Sequence, residues 1–408
     1  MKAFHLTRNQ KTGSASLSRR KALKIMSSIA AAAALPIPLP ANETINSKRV
    51  NGTGQKLRKI ATEEAWCIPE ISEALKAMSK KGGSNLDFKL LAQIYDAPAV
   101  PVEQQAAAGN QTANRDASAG LMLPKLLDTQ NARMDDMNAN GVDMHLLSVA
   151  LPGVQIFESA QAETLAKIAN DRLHEVIKKD PDRYAGLACF APQNPVNAAK
   201  EMERAVRKLQ LNGFLVNSHT DNIYFDDVKM WPILEAAEAL GYPLYIHPRA
   251  PSDGMATPFQ DYRLEGAVWG YGVETSTHII RMIVGGVFDR FPKLQVVIGH
   301  MGEALPFWLG RLDFMARPGA RAGRKNQLKP SEYFQRNIFI TTSGVEDPLA
   351  LQYCIDKIGA DRIMWAIDYP FQPTASAVAF IESTPMSDEN RQKIAHKNAE
   401  RIFRIKTK

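Results

Sequence analysis

Cysteine is scarce in this chain of 408 residues, and long apolar runs are absent from most of it. The three cysteines, Cys67, Cys189 and Cys354, are an odd number at wide spacing and form no Cys-x-x-Cys pair. This spacing excludes a disulfide framework and a cysteine zinc knuckle, so we interpret all three as small buried residues. Beyond the first 41 residues no segment reaches the roughly 20 apolar residues of a membrane span, and we expect no membrane association of the mature protein.

Acidic residues are absent from residues 1–41, which contain seven Lys or Arg. These seven account for the whole formal charge of +7, so the chain from Asn42 onward is formally neutral. The high isoelectric point therefore gives no support to a nucleic-acid partner or a membrane-surface partner.

The same leader has the order of an export signal. A basic region precedes an apolar, Ala-rich run over about residues 25–35, and a Pro-rich tail follows. The run is too short to span a bilayer, and the pair Arg19-Arg20 ahead of it resembles a twin-arginine signal. We predict a signal peptide over 1–41, a linker over 42–56 and a periplasmic location. The alternative is a disordered basic tail with a fortuitous Ala-rich helix.

Eight short apolar runs alternate with stretches of helical periodicity from residue 57 to the end of the chain. Between the runs, apolar residues recur three and four apart, for instance over 162–180 and 194–210. This alternation is typical of a parallel α/β fold, and eight units predict a (β/α)8 barrel over 57–408 with its largest insertion at about 80–125. The predicted strands are 57–64, 142–149, 184–190, 213–218, 242–248, 294–300, 337–343 and 362–370.

Residues that can bind a metal or transfer a proton stand where several of these runs end. Barrel enzymes carry their chemistry at the C-terminal ends of the strands. A single histidine there is more often structural, but Glu, His, His and Asp together indicate an active site. The residues are Glu63, His247, His300 and Asp368, at the ends of the first, fifth, sixth and eighth runs.

The segments around these residues resemble the amidohydrolase superfamily, and within it the nonoxidative decarboxylases of dihydroxybenzoates, γ-resorcylate and 5-carboxyvanillate. The resemblance extends over about residues 57–405 and is specific only as a set of motifs. It implies a metal-dependent decarboxylase that releases CO₂ from an ortho-hydroxy aromatic carboxylic acid. The segments are KIATEEAW (59–66), YIHPRAP (245–251), VVIGHMGEALPFWLGRLD (296–313) and AIDYPF (366–371).

The resemblance implies one divalent metal ion held by Glu63, His247 and Asp368. Ala65 stands where the family's Glu-x-His motif has a further ligand. Two carboxylates and one imidazole form an oxygen-rich site, for which Mn²⁺ or Mg²⁺ is about as suitable as Zn²⁺.

His300 and Glu303 are the predicted acid–base pair. A helical turn after the strand would bring residues three apart to one side, and a carboxylate raises the basicity of a neighbouring imidazole. The alternative is a His and a Glu that only bond the loop together. By resemblance, Asp368 is the acid that delivers a proton to carbon.

Arg249, Trp66 and Phe371 are the candidate substrate-binding residues. Arg249 could pair with a substrate carboxylate or support its own loop, and the sequence favours neither role. Trp66 and Phe371 could form the walls of an aromatic pocket, although such residues more often only pack. We expect a small aromatic carboxylic acid as the substrate and a homo-oligomer, either dimer or tetramer.

Two other functions stay open. One is a metal-dependent hydrolase of the same superfamily, acting on a lactone, ester or amide. An exported location leaves it open, because export is unusual for the decarboxylases. The other is an exported binding protein whose barrel has lost its chemistry. The complete set of Glu63, His247, His300 and Asp368 disfavours the binding protein, which has no need of it.

Overall fold

A computed structural model describes residues 56–81, 86–87 and 122–406. The predicted signal peptide over 1–41, nearly all of the predicted linker and most of the predicted insertion lie outside the described residues.

All eight predicted strands are present, and each is shorter than the apolar run that predicted it. They are parallel and pair in chain order, β1 to β3 in one sheet and β4 to β8 in another. The apolar runs overestimate the strands because burial continues into the loops at either end. The strands are β1 (Ile60–Trp66), β2 (Met144–Val149), β3 (Tyr184–Gly186), β4 (Phe214–Asn217), β5 (Leu244–His247), β6 (Val296–Ile298), β7 (Ile338–Thr341) and β8 (Ile363–Met364).

Hydrogen bonds outside the regular pairing close the two sheets into one barrel. Between β3 and β4, the N–H of Ala188 donates to the Gly213 carbonyl at 2.8 Å, and the N–H of Leu215 donates to the Ala188 carbonyl at 3.0 Å. Next to β8, the N–H of Ala65 in β1 donates to the Tyr369 carbonyl at 2.8 Å. The predicted (β/α)8 barrel is confirmed.

Side chains from all eight strands fill the interior of the barrel, because alternate residues of each strand point inward. Ala399, Phe403 and Ile405 of the C-terminal segment pack onto the same cluster and close the N-terminal end of the barrel. The C-terminal end is thereby left for chemistry, as is general in this fold. The inward residues are Ile60, Met144, Leu146, Ala185, Leu187, Leu215, Tyr245, Val297, Phe339 and Met364.

Helices form the outer layer and turn their apolar residues toward the strands. Helix α4, for example, begins at Pro195, where the side chain of Asn194 caps it by accepting from the N–H of Asn197, and buries Ala198 and Met202. None of the described helices combines the length and the apolar character needed to cross a bilayer. The helices are α1 (Pro69–Lys81), α2 (Ala132–Ala139), α3 (Ser159–Lys179), α4 (Pro195–Arg207), α5 (Trp231–Leu240), α6 (Asp253–Gln260), α7 (Gly270–Val284), α8 (Val287–Arg290), α9 (Leu305–Met315), α10 (Pro330–Arg336), α11 (Pro348–Ile358), α12 (Thr374–Ser383), α13 (Asp388–Gln392) and α14 (Asn398–Ile402).

Candidate active site

A β-bulge in β1 directs the two adjacent glutamates of the first strand to different neighbours. Ala61 pairs with His145 and Glu64 pairs with Leu147, so β1 has one residue more than β2 between these pairs. Bulges redirect side chains and are common beside active sites. Glu63 reaches into the barrel, whereas Glu64 reaches the backbone that follows β8.

Hydroxyl groups surround one of the two carboxylate oxygens of Glu63. Tyr245 Oη and Thr341 Oγ1 donate to Oε2 at 2.5 and 2.9 Å, and the Ser343 hydroxyl is a third donor to the same atom. Glu63 is only 2% exposed, yet its Oε1 has no hydrogen-bond partner among the described residues. Since an unpartnered buried oxygen is costly, Oε1 is the atom left for a metal ion or a substrate.

Tyr245, Thr341 and Ser343 are not among the site residues predicted from the sequence. A signal existed at β7, because Thr341-Thr342-Ser343 is a polar run in the position where other strands carry the predicted ligands. Tyr245 gave no such signal, since a tyrosine inside an apolar strand is typical of a core.

His247 presents a ring nitrogen to the free oxygen of Glu63. Its Nε2 lies 3.5 Å from Glu63 Oε1. Its Nδ1 donates to the carbonyl oxygen of Pro248 at 2.8 Å, so Nε2 is the ring nitrogen that faces Glu63. A hydrogen bond of this kind, on the far side of the ring from the metal, orients a histidine for metal binding.

A left-handed turn holds His300 and Glu303 together. Residues 300–304 all have φ between 52° and 74°, a region that costs a residue other than glycine about 1–2 kcal/mol. The sequence predicted a helical turn that would bring the two side chains to one side, and they do meet, with 3.1 Å between His300 Nδ1 and Glu303 Oε1. The hand of the turn is the unexpected feature, and strained backbone of this kind is concentrated at functional sites.

Asp368 completes the cluster from the end of β8. Its Oδ2 lies 3.8 Å from His300 Nε2, and His300 Nδ1 lies 3.9 Å from Glu63 Oε1. One ligand atom each from Glu63, His300 and Asp368 lies within 4.8 Å of the others. The sequence named His247 as the imidazole ligand. His247 approaches the same Glu63 oxygen at 3.5 Å, but the set of mutually close ligand atoms contains His300 in place of His247.

The concentration of charge shifts the pKa values of this cluster. Burial lowers the pKa of His300, but the carboxylates of Glu63 and Glu303 outweigh burial and hold that pKa well above its ordinary value. Burial raises the pKa of Glu63, but His300 and His247 reverse the effect and leave it lowered. Burial raises the pKa of Asp368, and the neighbouring His300 only partly opposes this. One buried carboxylate, one half-buried carboxylate and two half-buried imidazoles are a donor set that fits a divalent cation.

Arg249 makes the contacts of a loop-supporting residue. Its Nε and Nη2 lie 2.8 and 2.6 Å from Asp87 Oδ2, and its Nη1 donates to the His219 carbonyl at 2.5 Å. The N–H of Ala250 also donates to Asp87, at 2.6 Å. Of the two roles that the sequence left open, loop support has direct contacts, and substrate binding stays a prediction.

Trp66 and Phe371 both lie next to the cluster in the chain and pack against the main core. Trp66 is buried, with no hydrogen-bond partner for Nε1 among the described residues. Phe371 is half-buried, and its N–H donates to the Asp368 carbonyl at 2.8 Å. Their role as walls of an aromatic pocket stays a prediction.

A cavity of about 1010 Å³ adjoins the cluster. Its lining includes His300, Glu303 and Asp368 together with apolar side chains of α7 and α9. Mostly apolar cavities with a few converging polar groups are typical ligand sites, and this one has room for an aromatic ring.

A (β/α)8 barrel whose strand ends converge on two carboxylates and two histidines is the architecture of a metal-dependent enzyme. The chain belongs to the amidohydrolase family, whose model matches residues 111–405. It is similar to the γ-resorcylate decarboxylase of Polaromonas sp., at 37% identity over 294 residues that span 69% of this chain and 89% of that protein.

Two solved structures of 5-carboxyvanillate decarboxylases are also similar. The one from Sphingomonas paucimobilis is 47% identical with a TM-score of 0.78, over 86% of this chain and 100% of that chain. The one from Novosphingobium aromaticivorans, complexed with manganese and 4-hydroxy-3-methoxy-5-nitrobenzoic acid, is 37% identical with a TM-score of 0.77, over 87% of this chain and 98% of that chain. The resemblance to the nonoxidative aromatic decarboxylase branch is confirmed.

Proposed function

We propose that this protein is a metal-dependent nonoxidative decarboxylase that releases CO₂ from an ortho-hydroxy aromatic carboxylic acid of the dihydroxybenzoate type. The observation that carries the proposal is the cluster of Glu63, His247, His300 and Asp368, in which the Oε1 atom of the buried Glu63 has no hydrogen-bond partner among the described residues and faces two imidazoles. The similarity to decarboxylases of γ-resorcylate and 5-carboxyvanillate supports the class of substrate.

One divalent metal ion is the cofactor, and Glu63, His247 and Asp368 would hold it. The oxygen-rich donor set suits Mn²⁺, Mg²⁺ or Zn²⁺, and the manganese bound by the similar 5-carboxyvanillate decarboxylase supports Mn²⁺. When bound, the ion would supply a positive charge that attracts and orients the anionic substrate.

The chain's own residues move the protons. The neutral form of His300, oriented by Glu303 at 3.1 Å, accepts the proton of the ortho hydroxyl. Asp368 then delivers a proton to the ring carbon that carries the carboxyl group. The electrons of the broken carbon–carbon bond return to the ring as CO₂ leaves. His300 returns its proton to the phenol, and Asp368 takes a new proton from solvent. Protonation before cleavage avoids a free aryl carbanion.

A substrate panel tests this function against the hydrolase alternative. The metal-loaded protein is expected to release CO₂ from at least one dihydroxybenzoate or methoxylated hydroxybenzoate. No CO₂ from any of them, together with metal-dependent hydrolysis of an aryl ester or lactone, would replace the decarboxylase with a hydrolase of the same superfamily.

Metal analysis of two histidine variants tests the ligand assignment. His247→Ala is expected to lose the ion. His300→Asn is expected to keep about one ion per chain while turnover falls about 10²-fold, the size expected for loss of a positioned general base. The opposite pattern of metal content would place His300 in the ligand set.

Export to the periplasm by a twin-arginine signal over residues 1–41 is a further part of the proposal. The order of basic, apolar and small residues supports it. Changing both Arg19 and Arg20 to Lys is expected to abolish export, and an undiminished periplasmic level would contradict the assignment.

A homo-oligomer, dimer or tetramer, is proposed on the strength of exposed apolar side chains beside the cavity. Val268, Trp269, Phe307 and Leu349 are 74%, 62%, 66% and 81% exposed, and all four line the same cavity. Exposed apolar patches on soluble proteins mark contact surfaces. Light scattering of the purified protein is the test, and a monomer at micromolar concentration would contradict it.

A further inference from the structure

Side-chain hydrogen bonds from β1 replace the strand pairing that would join β1 to β8. Thr62 Oγ1 donates to the Trp365 carbonyl at 2.8 Å. The two oxygens of Glu64 accept from the N–H groups of Ile367 and Tyr369, at 3.0 and 3.1 Å. Here the barrel is closed largely by side chains, and one carboxylate accepts two backbone N–H groups that a neighbouring strand would otherwise bind.

Asp368 lies between the two N–H groups that Glu64 binds. Its φ is 75°, in the left-handed region, which costs a residue other than glycine about 1–2 kcal/mol. Such a conformation persists only where the surroundings fix the backbone on both sides. Glu64 binds the N–H of Ile367 before Asp368 and the N–H of Tyr369 after it, and therefore fixes the direction in which the Asp368 side chain leaves the backbone.

Arg133 holds β1 in place beside the segment that follows β8. This arginine is fully buried, its Nη2 donates to the Ala65 carbonyl at 2.6 Å, and its guanidinium carbon lies 4.4 Å from the centre of the Tyr369 ring. One buried cation therefore contacts both sides of the junction that Glu64 joins.

We propose that Glu64 is a positioning residue for the metal site, which holds Asp368 in its left-handed conformation and so fixes the distance between the carboxylates of Asp368 and Glu63. Glu63 and Glu64 are neighbours in β1, so this strand provides one carboxylate ligand and the support of the other. Glu64 is fully buried and binds backbone groups rather than the reacting atoms. The inference rests on the proposed function only in taking Glu63 and Asp368 as metal ligands.

The experiment compares Mn²⁺ binding by Glu64→Gln and Thr62→Val, with free Mn²⁺ followed by electron paramagnetic resonance. In Glu64→Gln the amide NH₂ faces one of the two N–H donors, so one of the two bonds that flank Asp368 is lost. The dissociation constant for Mn²⁺ is expected to rise about tenfold or more, the range seen when a group that supports a metal ligand is removed.

Thr62→Val is the matched control, because it removes another hydrogen bond across the same junction but leaves both neighbours of Asp368 bound. Its Mn²⁺ affinity is expected to stay within about twofold of the wild type, even if its melting temperature falls. Glu64→Asp, which keeps the charge but is one methylene shorter, takes the place of Glu64→Gln if that variant does not fold, with the same expected direction.

Wild-type affinity in the folded Glu64 variant, or an equal loss in Thr62→Val, would overturn the inference. Failure of the proposed function has a different signature, because the wild type itself would then bind no metal or release no CO₂.

Discussion

Gly299, directly before His300, leaves the space that the Glu63 carboxylate occupies. A Cβ atom at position 299 would lie 2.7 Å from both oxygens of Glu63 and 3.0 Å from its Cδ. The backbone there has φ −76° and ψ −171°, which any residue can adopt. Gly299→Ala therefore tests one steric conflict, between a methyl group and the carboxylate, without added backbone strain.

The magnitude follows from the bonds that hold Glu63. To reach an ordinary contact with the new methyl group, the carboxylate must move by about half an ångström or more. The bonds from Tyr245 at 2.5 Å and Thr341 at 2.9 Å then stretch or break. Hydrogen bonds to charged groups contribute about 1.5–3 kcal/mol each, so loss of both bonds is expected to lower the free energy of unfolding by about 3–6 kcal/mol. Metal affinity is expected to fall at least about tenfold as the ligand is displaced.

Gly310→Ala is the matched control, because a Cβ at position 310 meets no atom within 4 Å. This glycine lies inside α9, where alanine is expected to stabilise the helix by about 0.5–1 kcal/mol. Urea unfolding and Mn²⁺ titration of both variants form the assay. Wild-type stability and metal affinity in Gly299→Ala would refute the position that we assign to the Glu63 carboxylate.

Three further predictions concern the residues around the cluster. Glu303→Gln is expected to lower turnover about tenfold, because the imidazole remains but loses a charged partner. This loss is smaller than that expected for His300→Asn. Full activity of both variants in steady-state assays would show that the pair is structural. Arg249→Met is expected to lower the free energy of unfolding in urea by about 3–5 kcal/mol, because it leaves Asp87 as a buried unpaired charge. Unchanged stability would contradict the loop-supporting role. Burial lowers the pKa of His278 to about 3, so below about pH 6.5 the unfolded chain binds a proton at this residue that the folded chain does not. Stability is therefore lost as the pH falls toward 3. At pH 4.5 the contribution of His278 to this loss is about 3 kcal/mol, which His278→Gln should not show in urea unfolding.

The sequence was sufficient for the barrel and for the residues at its strand ends. Each strand is an apolar run. In a barrel of parallel strands, residues at the C-terminal ends of these runs all lie at the same end of the barrel. Glu63, His247, His300 and Asp368 are brought into one cluster for this reason.

The backbone features that hold the cluster in place could not be predicted from the sequence. Period-two alternation indicates that Glu63 and Glu64 face different sides, but the bulge that directs Glu64 to the backbone of Asp368 has no sequence signal that we could identify. The left-handed turn over 300–304 was equally hidden, because four of its five residues are not glycine and local preference disfavours the conformation. Packing of the whole barrel, rather than local propensity, determines both features.

The central claim, that a metal-loaded cluster protonates an aromatic ring and releases CO₂, is tested most directly by decarboxylation in D₂O. The Mn²⁺-loaded wild type is incubated with an ortho-hydroxybenzoate that passes the substrate panel, beside a Glu63→Gln control, and the product is examined by NMR and mass spectrometry. The account predicts a single deuterium on the carbon that lost the carboxyl group, an otherwise unchanged ring, and no product from the control. A product with hydrogen at that carbon, or equal turnover by Glu63→Gln, would contradict it.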